Sequence, residues 1–290
     1  AELQTQSLHK CWEQDIDCEI IHNSKSRRVL ITGASGAISS TVAKLFSDNG
    51  WSLLLHYRGS KEKLDLITKK IPDADIEFVE ADLSTQHGVN VISKAIKSYT
   101  DIEAIIHTAS PPVNADLNDL VSVNYTALKG ITYSALPQML VRQSGVVLSI
   151  GSTAMLTKIQ GLEDYAAVKS MAASFLERLN KEYTPYNVFG RVLAPTYVIS
   201  DYSKSLRGQN QALTPAEVAI QVFEMAVNVT EFMRVQRVDT NSDGTYGFEL
   251  KESSEEEFND TTLSETKRIE SQSEDKLESR LFNAIKRVLP

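Results

Sequence analysis

The sequence predicts an α/β protein: a doubly wound, Rossmann-like parallel sheet with helices on both faces, in a single domain with extensions at both ends. Three features predict it. Short apolar runs alternate with helical stretches along most of the 290 residues. The apolar runs are continuous, which is typical of strands buried on both faces. A glycine-rich turn joins the first apolar run to the first helix.

The predicted elements follow one another in a regular order. Continuous apolar character predicts strands over residues 28–31, 52–56, 76–80, 102–106, 146–150 and 188–193. Helical periodicity and end signals predict helices over residues 41–48, 89–98, 123–143, 165–183 and 215–228. The pattern weakens over residues 235–238 and 245–250.

The two ends of the chain differ in composition from this region. Residues 1–27 have weak periodicity and are interpreted as an N-terminal extension before the domain at residues 28–250. Residues 251–278 are rich in Glu, Ser, Thr, Asp and Lys, which predicts a flexible acidic linker. Apolar residues at four-residue spacing then predict a short amphipathic helix over residues 279–290.

Charge and cysteine content exclude several classes of function. The formal net charge of -8 argues against a nucleic-acid partner, because phosphate binding needs a basic face. Two cysteines, Cys11 and Cys18, cannot build a dense disulfide framework or a four-ligand zinc site, so no metal is predicted and a cytoplasmic location is expected. No secretory signal and no stretch of about 18 uncharged apolar residues is present, so no membrane partner is predicted.

The glycine-rich turn is a candidate phosphate site. A turn of this kind lets backbone N–H groups and the positive end of a helix dipole face a dinucleotide pyrophosphate. The alternative is a tight turn without a ligand. The turn reads Thr32-Gly33-Ala34-Ser35-Gly36-Ala37-Ile38-Ser39, and its predicted cofactor contacts are Gly33, Ser35, Gly36 and Ile38.

Residues 28 to about 239 resemble the short-chain dehydrogenase/reductase family, whose turn reads Thr-Gly-x-x-x-Gly-x-Gly. Thr32 and Gly33 match, while Ala37 and Ser39 stand at the second and third glycines. After the fourth strand, the family's Asn-Asn-Ala-Gly is replaced by His107-Thr108-Ala109-Ser110. The resemblance implies cofactor contacts from Ala109 and Ser110, and we interpret His107 as a hydrogen-bonded structural residue.

The residues after the second and third strands predict the choice of cofactor. Tyr57, Arg58 and Ser60 follow the second strand, where no acid is present to bind a ribose 2′-hydroxyl. An arginine there suits a 2′-phosphate, so NADPH is favoured over NADH; a solvated loop arginine is the alternative. Asp82 and Leu83 match the family position that contacts adenine, although Asp82 could instead cap the next helix.

Tyr165 and Lys169 form the most informative pair in the sequence. Four residues apart, they lie on one face of a predicted helix. An unperturbed tyrosine has a pKa near 10, and a nearby ammonium favours the phenolate, so Lys169 is expected to make Tyr165 a workable acid and base. Ser152 lies 13 residues before Tyr165, at the end of a strand.

The family resemblance assigns a role to each of these residues and adds a fourth. Tyr165 is implied as the proton donor, Lys169 as its tuning partner that also binds ribose, and Ser152 as the group that holds the substrate carbonyl. Asn124 is implied to hold a helix kink and a water of the proton relay. Nicotinamide contacts are implied for Pro195, Val198 and Ser200, with Thr196 replacing a family glycine.

The implied activity is NADPH-dependent reduction of a carbonyl to an alcohol. The segments Ile150-Gly151-Ser152 and 181–187 are most similar to 3-oxoacyl-[acyl-carrier-protein] reductases, which implies an acyl thioester substrate, an acidic carrier protein and a homodimer or homotetramer. Candidate basic residues at the rim of the site are Arg142, Lys204 and Arg207. Only thirteen residues separate Ser110 from Asn124, so one wall of the site is expected to be short.

Two other functions remain open from the sequence. The altered glycine turn, the altered strand end and the acidic tail favour a catalytically weak or inactive family member that senses NADPH. A structural subunit of an oligomer is the other alternative, since the helices predicted over residues 123–143 and 165–183 resemble those with which the family builds dimers and tetramers.

Overall fold

A computed structural model describes residues 26–59, 61–157, 159–199, 212–227, 235–240 and 246–250. Its strands form one sheet in the order β3-β2-β1-β4-β5-β6-β7-β8. The first seven strands are parallel, and β8 pairs antiparallel with β7. The strands are β1 Arg28–Thr32, β2 Ser52–Tyr57, β3 Ile76–Glu80, β4 Ile102–His107, β5 Gly145–Ile150, β6 Val188–Pro195, β7 Val235–Thr240 and β8 Tyr246–Leu250.

Helices cover both faces of the sheet, which confirms the predicted fold class. One apolar core joins the sheet to α3, α5 and α6, and a second joins it to α1, α2 and α7. The α-helices are α1 Ala37–Asp48, α2 Lys61–Lys70, α3 Gln86–Ile96, α4 Leu117–Val121, α5 Leu128–Arg142, α6 Glu163–Tyr183 and α7 Pro215–Val227. A π-helix, Ser122–Ala127, joins α4 to α5, and 3₁₀ turns cover Thr153–Met155 and Thr184–Tyr186.

The order of the strands places the candidate site. The first strand pairs with β2 on one side and with β4 on the other. Successive strands are therefore added on one side of β1 up to β3 and on its other side from β4 onward. Ligands of open α/β sheets bind in the crevice at the carboxyl ends of the strands, where this change of side occurs. Most of the residues predicted from motifs follow the carboxyl ends of β1, β2, β3, β4, β5 and β6.

Three elements differ from the sequence prediction. Helix α2 was not predicted because charged residues dominate it, yet its Leu64 and Ile67 are buried on one side. The helix predicted over residues 123–143 begins earlier, at Leu117, and contains the π-helix. The last strand, β8, pairs antiparallel with β7, whereas the sequence predicted a parallel sheet.

Several predictions fall outside the described residues. They are the N-terminal extension up to residue 25, the acidic linker and the C-terminal helix. Within the described ranges, the helices are too short or too polar to cross a lipid bilayer.

A close contact fixes α6 against β6. A Cβ atom on Gly190 would lie 2.4 Å from the Leu176 carbonyl oxygen, so strand and helix backbones touch there. The Asn180 side chain donates to the Gly190 carbonyl at 3.0 Å and accepts from the Gly190 N–H at 2.6 Å. The position of α6, which carries Tyr165 and Lys169, therefore depends on a glycine at position 190.

Replacing this glycine should lower stability sharply. In Gly190→Ala, backbone atoms on both sides must move, and we expect the free energy of unfolding to fall by about 3 kcal/mol. Gly130→Ala is the matched control, because the added methyl group meets only the Val89 side chain, and a change within about 1 kcal/mol is expected. Urea unfolding measures both, and equal losses in the two variants would refute the contact.

Candidate functional site

The turn between β1 and α1 has the geometry of an anion site. Gly33 adopts φ +66°, a conformation that favours glycine. A Cβ atom there would lie 3.0 Å from Ala109 Cα, so the turn lies directly against the segment after β4. Gly36 is the N-cap of α1, and the first turn of that helix has neither a side-chain cap nor an acidic residue. Its N-terminal N–H groups and helix dipole therefore suit a phosphate.

Two departures from the family motifs contact each other. The buried Ser39 hydroxyl lies 2.6 Å from the Thr108 hydroxyl, which in turn donates to the Thr32 carbonyl. Because the carbonyl can only accept, the Thr108 hydrogen is used there and Ser39 donates to Thr108. Ser39, at the third glycine position, and Thr108, at the second asparagine position, thus form one hydrogen-bonded pair.

The segments after β2 and β3 meet at an ion pair. The Arg58 guanidinium lies 3.5 Å from the Asp82 carboxylate, with both side chains partly or largely exposed. Hydrogen bonds from the Ser84 backbone N–H and hydroxyl hold the pKa of Asp82 below its usual range, and Arg58 adds to this. Thr85 is the N-cap of α3, so Asp82 does not cap that helix.

Other predicted cofactor residues lie at or after the carboxyl ends of β2, β3 and β4. The Tyr57 hydroxyl donates to Glu80 at 3.2 Å, and Leu83 is buried. After β4, the Ala109 N–H donates to the Thr32 hydroxyl at 3.2 Å, and Ser110 is half-buried. Ser60 lies outside the described residues.

Tyr165 and Lys169 lie one turn apart on α6, and both are buried, with 8% and 4% of their surfaces exposed. The Lys169 ammonium lies 5.4 Å from the centre of the Tyr165 ring and donates to the Ile150 carbonyl at 2.8 Å. Burial lowers the pKa of Lys169 to about 7. The helix is thereby tied to the end of β5, two residues before Ser152.

Ser152 begins the 3₁₀ turn after β5. Its Oγ accepts a hydrogen bond from the Ala154 N–H at 3.2 Å, which fixes the side chain and leaves the hydroxyl hydrogen to donate. Ala154 packs in a small apolar cluster with Tyr165, Val168 and Leu120. This cluster joins the Ser152 turn to the helix of Tyr165.

Asn124 lies within the π-helix and is 1% exposed. Its Nδ2 donates to the Leu120 carbonyl at 2.9 Å, inside the helical segment, and Leu120 belongs to the apolar cluster of Tyr165. Its Oδ1 is buried and has no hydrogen-bond partner among the described residues. A buried acceptor of this kind calls for a water or a ligand.

The short connection before Asn124 forms one wall of the site. Val113 and Ala115 pack on the apolar cluster of Leu120 and Tyr165, and the connection has no helix before the five residues of α4. On the opposite side, Pro195 ends β6, and Val198 pairs with Leu213. The Thr196 hydroxyl is buried without a partner in the described part of the chain, which does not include Ser200.

Two buried histidines form hydrogen bonds with the turn after β1. The interpretation of His107 as a structural residue agrees with its contacts, since its ring nitrogens lie 3.0 Å from the Thr32 hydroxyl and 2.9 Å from the Val123 carbonyl. His56, at the end of β2, was not singled out from the sequence; it lies 3.1 Å from the Gly33 nitrogen and 3.0 Å from the Ala81 carbonyl.

One predicted rim residue is misplaced. Arg142 ends α5, where its guanidinium contacts the Ser26 carbonyl and Glu103, next to the starts of β1 and β4. This is the amino-terminal edge of the sheet, opposite the candidate site, so the prediction for Arg142 was wrong. Lys204 and Arg207 lie outside the described residues. Within the described ranges, no group of three or more His, Cys, Asp or Glu side chains could hold a metal ion.

The Ser39–Thr108 pair can be tested by a double-mutant cycle. Thr108→Val leaves Ser39 without an acceptor and the Thr32 carbonyl without its donor, so we expect a loss of about 2 kcal/mol in unfolding free energy. Adding Ser39→Ala should cost little more, giving a coupling energy of about 1 kcal/mol in urea unfolding. Ser40→Ala, whose hydroxyl bonds the Ala37 carbonyl, is the control and should add independently to Thr108→Val. If the losses in unfolding free energy from Thr108→Val and Ser39→Ala are as additive as those from Thr108→Val and Ser40→Ala, the hydrogen bond between Ser39 and Thr108 is contradicted.

Comparisons with known proteins agree with this geometry. Residues 27–211, well over half of the chain, match the family model described as short chain dehydrogenase. The 3-oxoacyl-[acyl-carrier-protein] reductase FabG of Staphylococcus aureus is 21% identical over 207 residues, which cover 67% of this chain and 84% of that protein. The uncharacterized oxidoreductase YmfI of Bacillus subtilis is 27% identical over 203 residues, covering 66% of this chain and 80% of that protein.

Solved structures show the same fold. A short-chain dehydrogenase from Sphingobium yanoikuyae, in complex with NADPH, superposes with a TM-score of 0.66 at 18% identity, covering 86% of this chain and 97% of the other. A 3-oxoacyl (acyl-carrier-protein) reductase from Agrobacterium tumefaciens C58, with NADP bound, gives 0.66 at 23% identity, covering 77% and 98%. With the family model matched from the first strand through α6 and β6, the chain belongs to the short chain dehydrogenase family.

Proposed function

We propose that this chain is an NADPH-dependent reductase that converts a carbonyl to an alcohol, with a 3-oxoacyl thioester or a related ketone as substrate. The observation that carries the proposal is the placement of Lys169. This buried lysine shares a face of α6 with Tyr165 and is tied to the end of β5 beside Ser152. In the proposed site Tyr165 is the acid, Lys169 is its tuning partner and Ser152 is the hydroxyl donor.

Lys169 supports proton donation by Tyr165. A positive charge near a phenol stabilises the phenolate, which makes proton donation to an alkoxide easier near neutral pH. Burial is the cause of the lowered pKa of Lys169, and no carboxylate of the described residues offsets it. An anionic ligand bound beside Lys169 would stabilise its ammonium form and thus the phenolate of Tyr165.

Ser152 complements Tyr165 at the substrate oxygen. Its Oγ already accepts a bond from the Ala154 N–H, so the hydroxyl is oriented and its hydrogen can be directed to a carbonyl oxygen. Two donors that converge on one oxygen stabilise the negative charge that develops there. Asn124, with its unpartnered Oδ1, is proposed to hold the water that resupplies the proton.

The turn after β1 and its neighbours fit a dinucleotide. The left-handed Gly33 and the uncapped start of α1 are features that suit a close-fitting pyrophosphate, and the close approach of Ala109 to Gly33 holds the turn in place. When bound, the nicotinamide supplies the hydride. The proposed contacts are Gly33, Ser35, Gly36 and Ile38 for the pyrophosphate, Tyr57, Arg58, Ser60, Asp82 and Leu83 for adenosine, and Ala109, Ser110, Pro195, Val198 and Ser200 toward the nicotinamide.

Arg58 supports NADPH over NADH. Its guanidinium is largely exposed and is positioned by Asp82, and the segment after β2 offers no acid to a ribose hydroxyl. A guanidinium can bind a 2′-phosphate through two hydrogen bonds. The solved structures with NADPH or NADP bound are consistent with this choice.

The relatives support the substrate class. Those named 3-oxoacyl-[acyl-carrier-protein] reductases suggest an acyl thioester presented by a carrier protein. A homodimer or homotetramer in the cytoplasm completes the proposal.

Tyr165→Phe should abolish turnover while keeping the cofactor site. With an acetoacetyl thioester as substrate, we expect kcat for NADPH oxidation to fall by about 10³-fold, because the ring still packs but no proton is donated. NADPH affinity, measured by fluorescence, should stay within about twofold. Tyr133→Phe, on the exposed face of α5, is the matched control and should keep full activity.

The same assay separates the alternatives. A wild-type chain that binds NADPH but oxidises none of it with a panel of ketones would be a sensor or a structural subunit. Undiminished turnover by Tyr165→Phe would mean that another group donates the proton.

Arg58→Ala should change cofactor preference. Loss of charge-assisted hydrogen bonds to the 2′-phosphate should weaken NADPH binding by about 10- to 100-fold and leave NADH binding almost unchanged. Arg178→Ala, an exposed arginine on α6, is the control. Equal effects of Arg58→Ala on the two cofactors would show that Arg58 does not select NADPH.

A further inference from the structure

The turn Thr32–Gly33 lies between two buried histidines. His56 comes from the end of β2 and His107 is the last residue of β4, the strands on either side of β1. Each ring contacts the turn with Nδ1 and a different neighbouring segment with Nε2. The turn is therefore held from both sides by side chains to which the proposed mechanism gives no role.

The partners of His56 determine where its proton lies. The Gly33 N–H can only donate, so Nδ1 of His56 accepts at 3.1 Å. Nε2 then carries the hydrogen and donates to the Ala81 carbonyl at 3.0 Å. Ala81 directly precedes Asp82, so His56 connects the turn to the segment proposed to bind adenine.

His107 has the same tautomer for the same reason. The Val123 carbonyl can only accept, so Nε2 of His107 donates to it at 2.9 Å. In a neutral ring Nδ1 is then the acceptor, and the Thr32 hydroxyl donates to it at 3.0 Å. The same hydroxyl accepts from the Ala109 N–H. Val123 lies beside Asn124 in the π-helix, so His107 connects the turn to the segment of the proposed proton relay.

We propose that His56 and His107 are positioning residues that, as neutral rings, clamp the Thr32–Gly33 turn and hold it in register with the segments of Asp82 and Asn124. The role in cofactor binding and turnover rests on the proposed function. Both rings use every nitrogen, and protonation at Nδ1 would remove the acceptor that holds the turn. The clamp therefore exists only while both imidazoles are neutral.

The surroundings of both rings favour the neutral form. Burial lowers the pKa of His107 to about 3, the charge of Lys169 adds to this effect, His56 contributes further, and the hydrogen bond to the Val123 carbonyl opposes it. Burial also lowers the pKa of His56. The hydrogen bond to Ala81 and the charge of Asp82 raise this pKa, and the charge of Arg58 lowers it further. A lowered pKa means that each ring takes up its second proton at a lower pH than an ordinary histidine does.

Nitrogen NMR of the histidine rings tests the clamp without reference to activity. At pH 7.5, we expect His56 and His107 in the ligand-free chain each to show one protonated Nε2 and one bare Nδ1, and His107 should keep this form at pH 5.5. Either ring in the opposite tautomer or with hydrogens on both nitrogens at pH 7.5, or a doubly protonated His107 at pH 5.5, would overturn the proposal even if the enzyme is active.

Asparagine and glutamine variants distinguish the contact of His107 Nδ1 with Thr32 from the contact of Nε2 with Val123. An asparagine amide reaches about as far as Nδ1 and can still accept from Thr32, while a glutamine amide reaches about as far as Nε2 and can still donate to Val123. His107→Gln should weaken NADPH binding roughly tenfold, since the turn loses its partner. His107→Asn should keep NADPH affinity within about twofold and lower kcat roughly tenfold, since Asn124 loses its support.

His56 gives the corresponding pair on the other side. His56→Gln should weaken NADPH binding roughly tenfold, because it leaves the Gly33 N–H without an acceptor. His56→Asn keeps that acceptor and loses only the donor to the Ala81 carbonyl, so it should weaken NADPH binding less, by about threefold. His87→Gln, at an exposed position on α3, is the control. Thermal unfolding identifies variants that fail to fold. If every histidine variant fails to fold, the NMR result on the wild-type chain decides the proposal.

Equal effects of asparagine and glutamine at both positions would show that the rings only fill space. Absence of NADPH binding in the wild-type chain would instead refute the proposed function, and the ring tautomers would still decide whether the clamp exists.

Discussion

The close contact between the turn after β1 and the segment after β4 is the constraint on which the candidate site depends. Gly33 has a left-handed backbone, and a Cβ there would lie only 3.0 Å from Ala109 Cα, so the two segments are in tight contact. Every side chain near this contact must fit the remaining space and satisfy its polar atoms there. Ser39, Thr108, His107 and Thr32 do so through hydrogen bonds with one another or with nearby backbone. The residues that depart from the family motifs are therefore hydrogen-bonded parts of the turn and its neighbour.

A second constraint places the proposed chemistry beside this turn. Helix α6 is tied to β5 by Lys169 and to β6 by Asn180, so Tyr165 has a set position relative to Ser152. Burying an ammonium without a carboxylate is unfavourable, and the Ile150 carbonyl compensates for only part of its lost hydration. A buried lysine whose pKa is lowered in this way is typical of a functional site. The π-helix packs on α6 through Tyr125 and Phe175, and Asn124 lies within it.

Much of this fold could be predicted from the sequence, because buried parallel strands are continuous apolar runs and helices have their own periodicity. Helix α2 escaped prediction because only a narrow side of it is apolar. Motif spacing located Tyr165, Lys169, Ser152 and Asn124 along the chain. The Ser39–Thr108 pair and the His56 contacts could not be predicted, since they join segments that are distant in sequence. The prediction for Arg142 was wrong because this residue lies at the far end of α5, a helix of 15 residues and about 22 Å. The charge of a residue does not show at which end of a helix it lies relative to the site.

In the proposed reaction, a hydride from the nicotinamide reaches the carbon of a carbonyl whose oxygen is held by Ser152 and Tyr165. The transfer can be followed by mass spectrometry of the product that the wild-type chain forms from an acetoacetyl thioester and NADPH deuterated at the transferable C4 position. We expect one deuterium on the carbinol carbon of the 3-hydroxyacyl product. NADPH that binds the chain while the thioester, and every other ketone offered, gains no deuterium would contradict the proposed reaction.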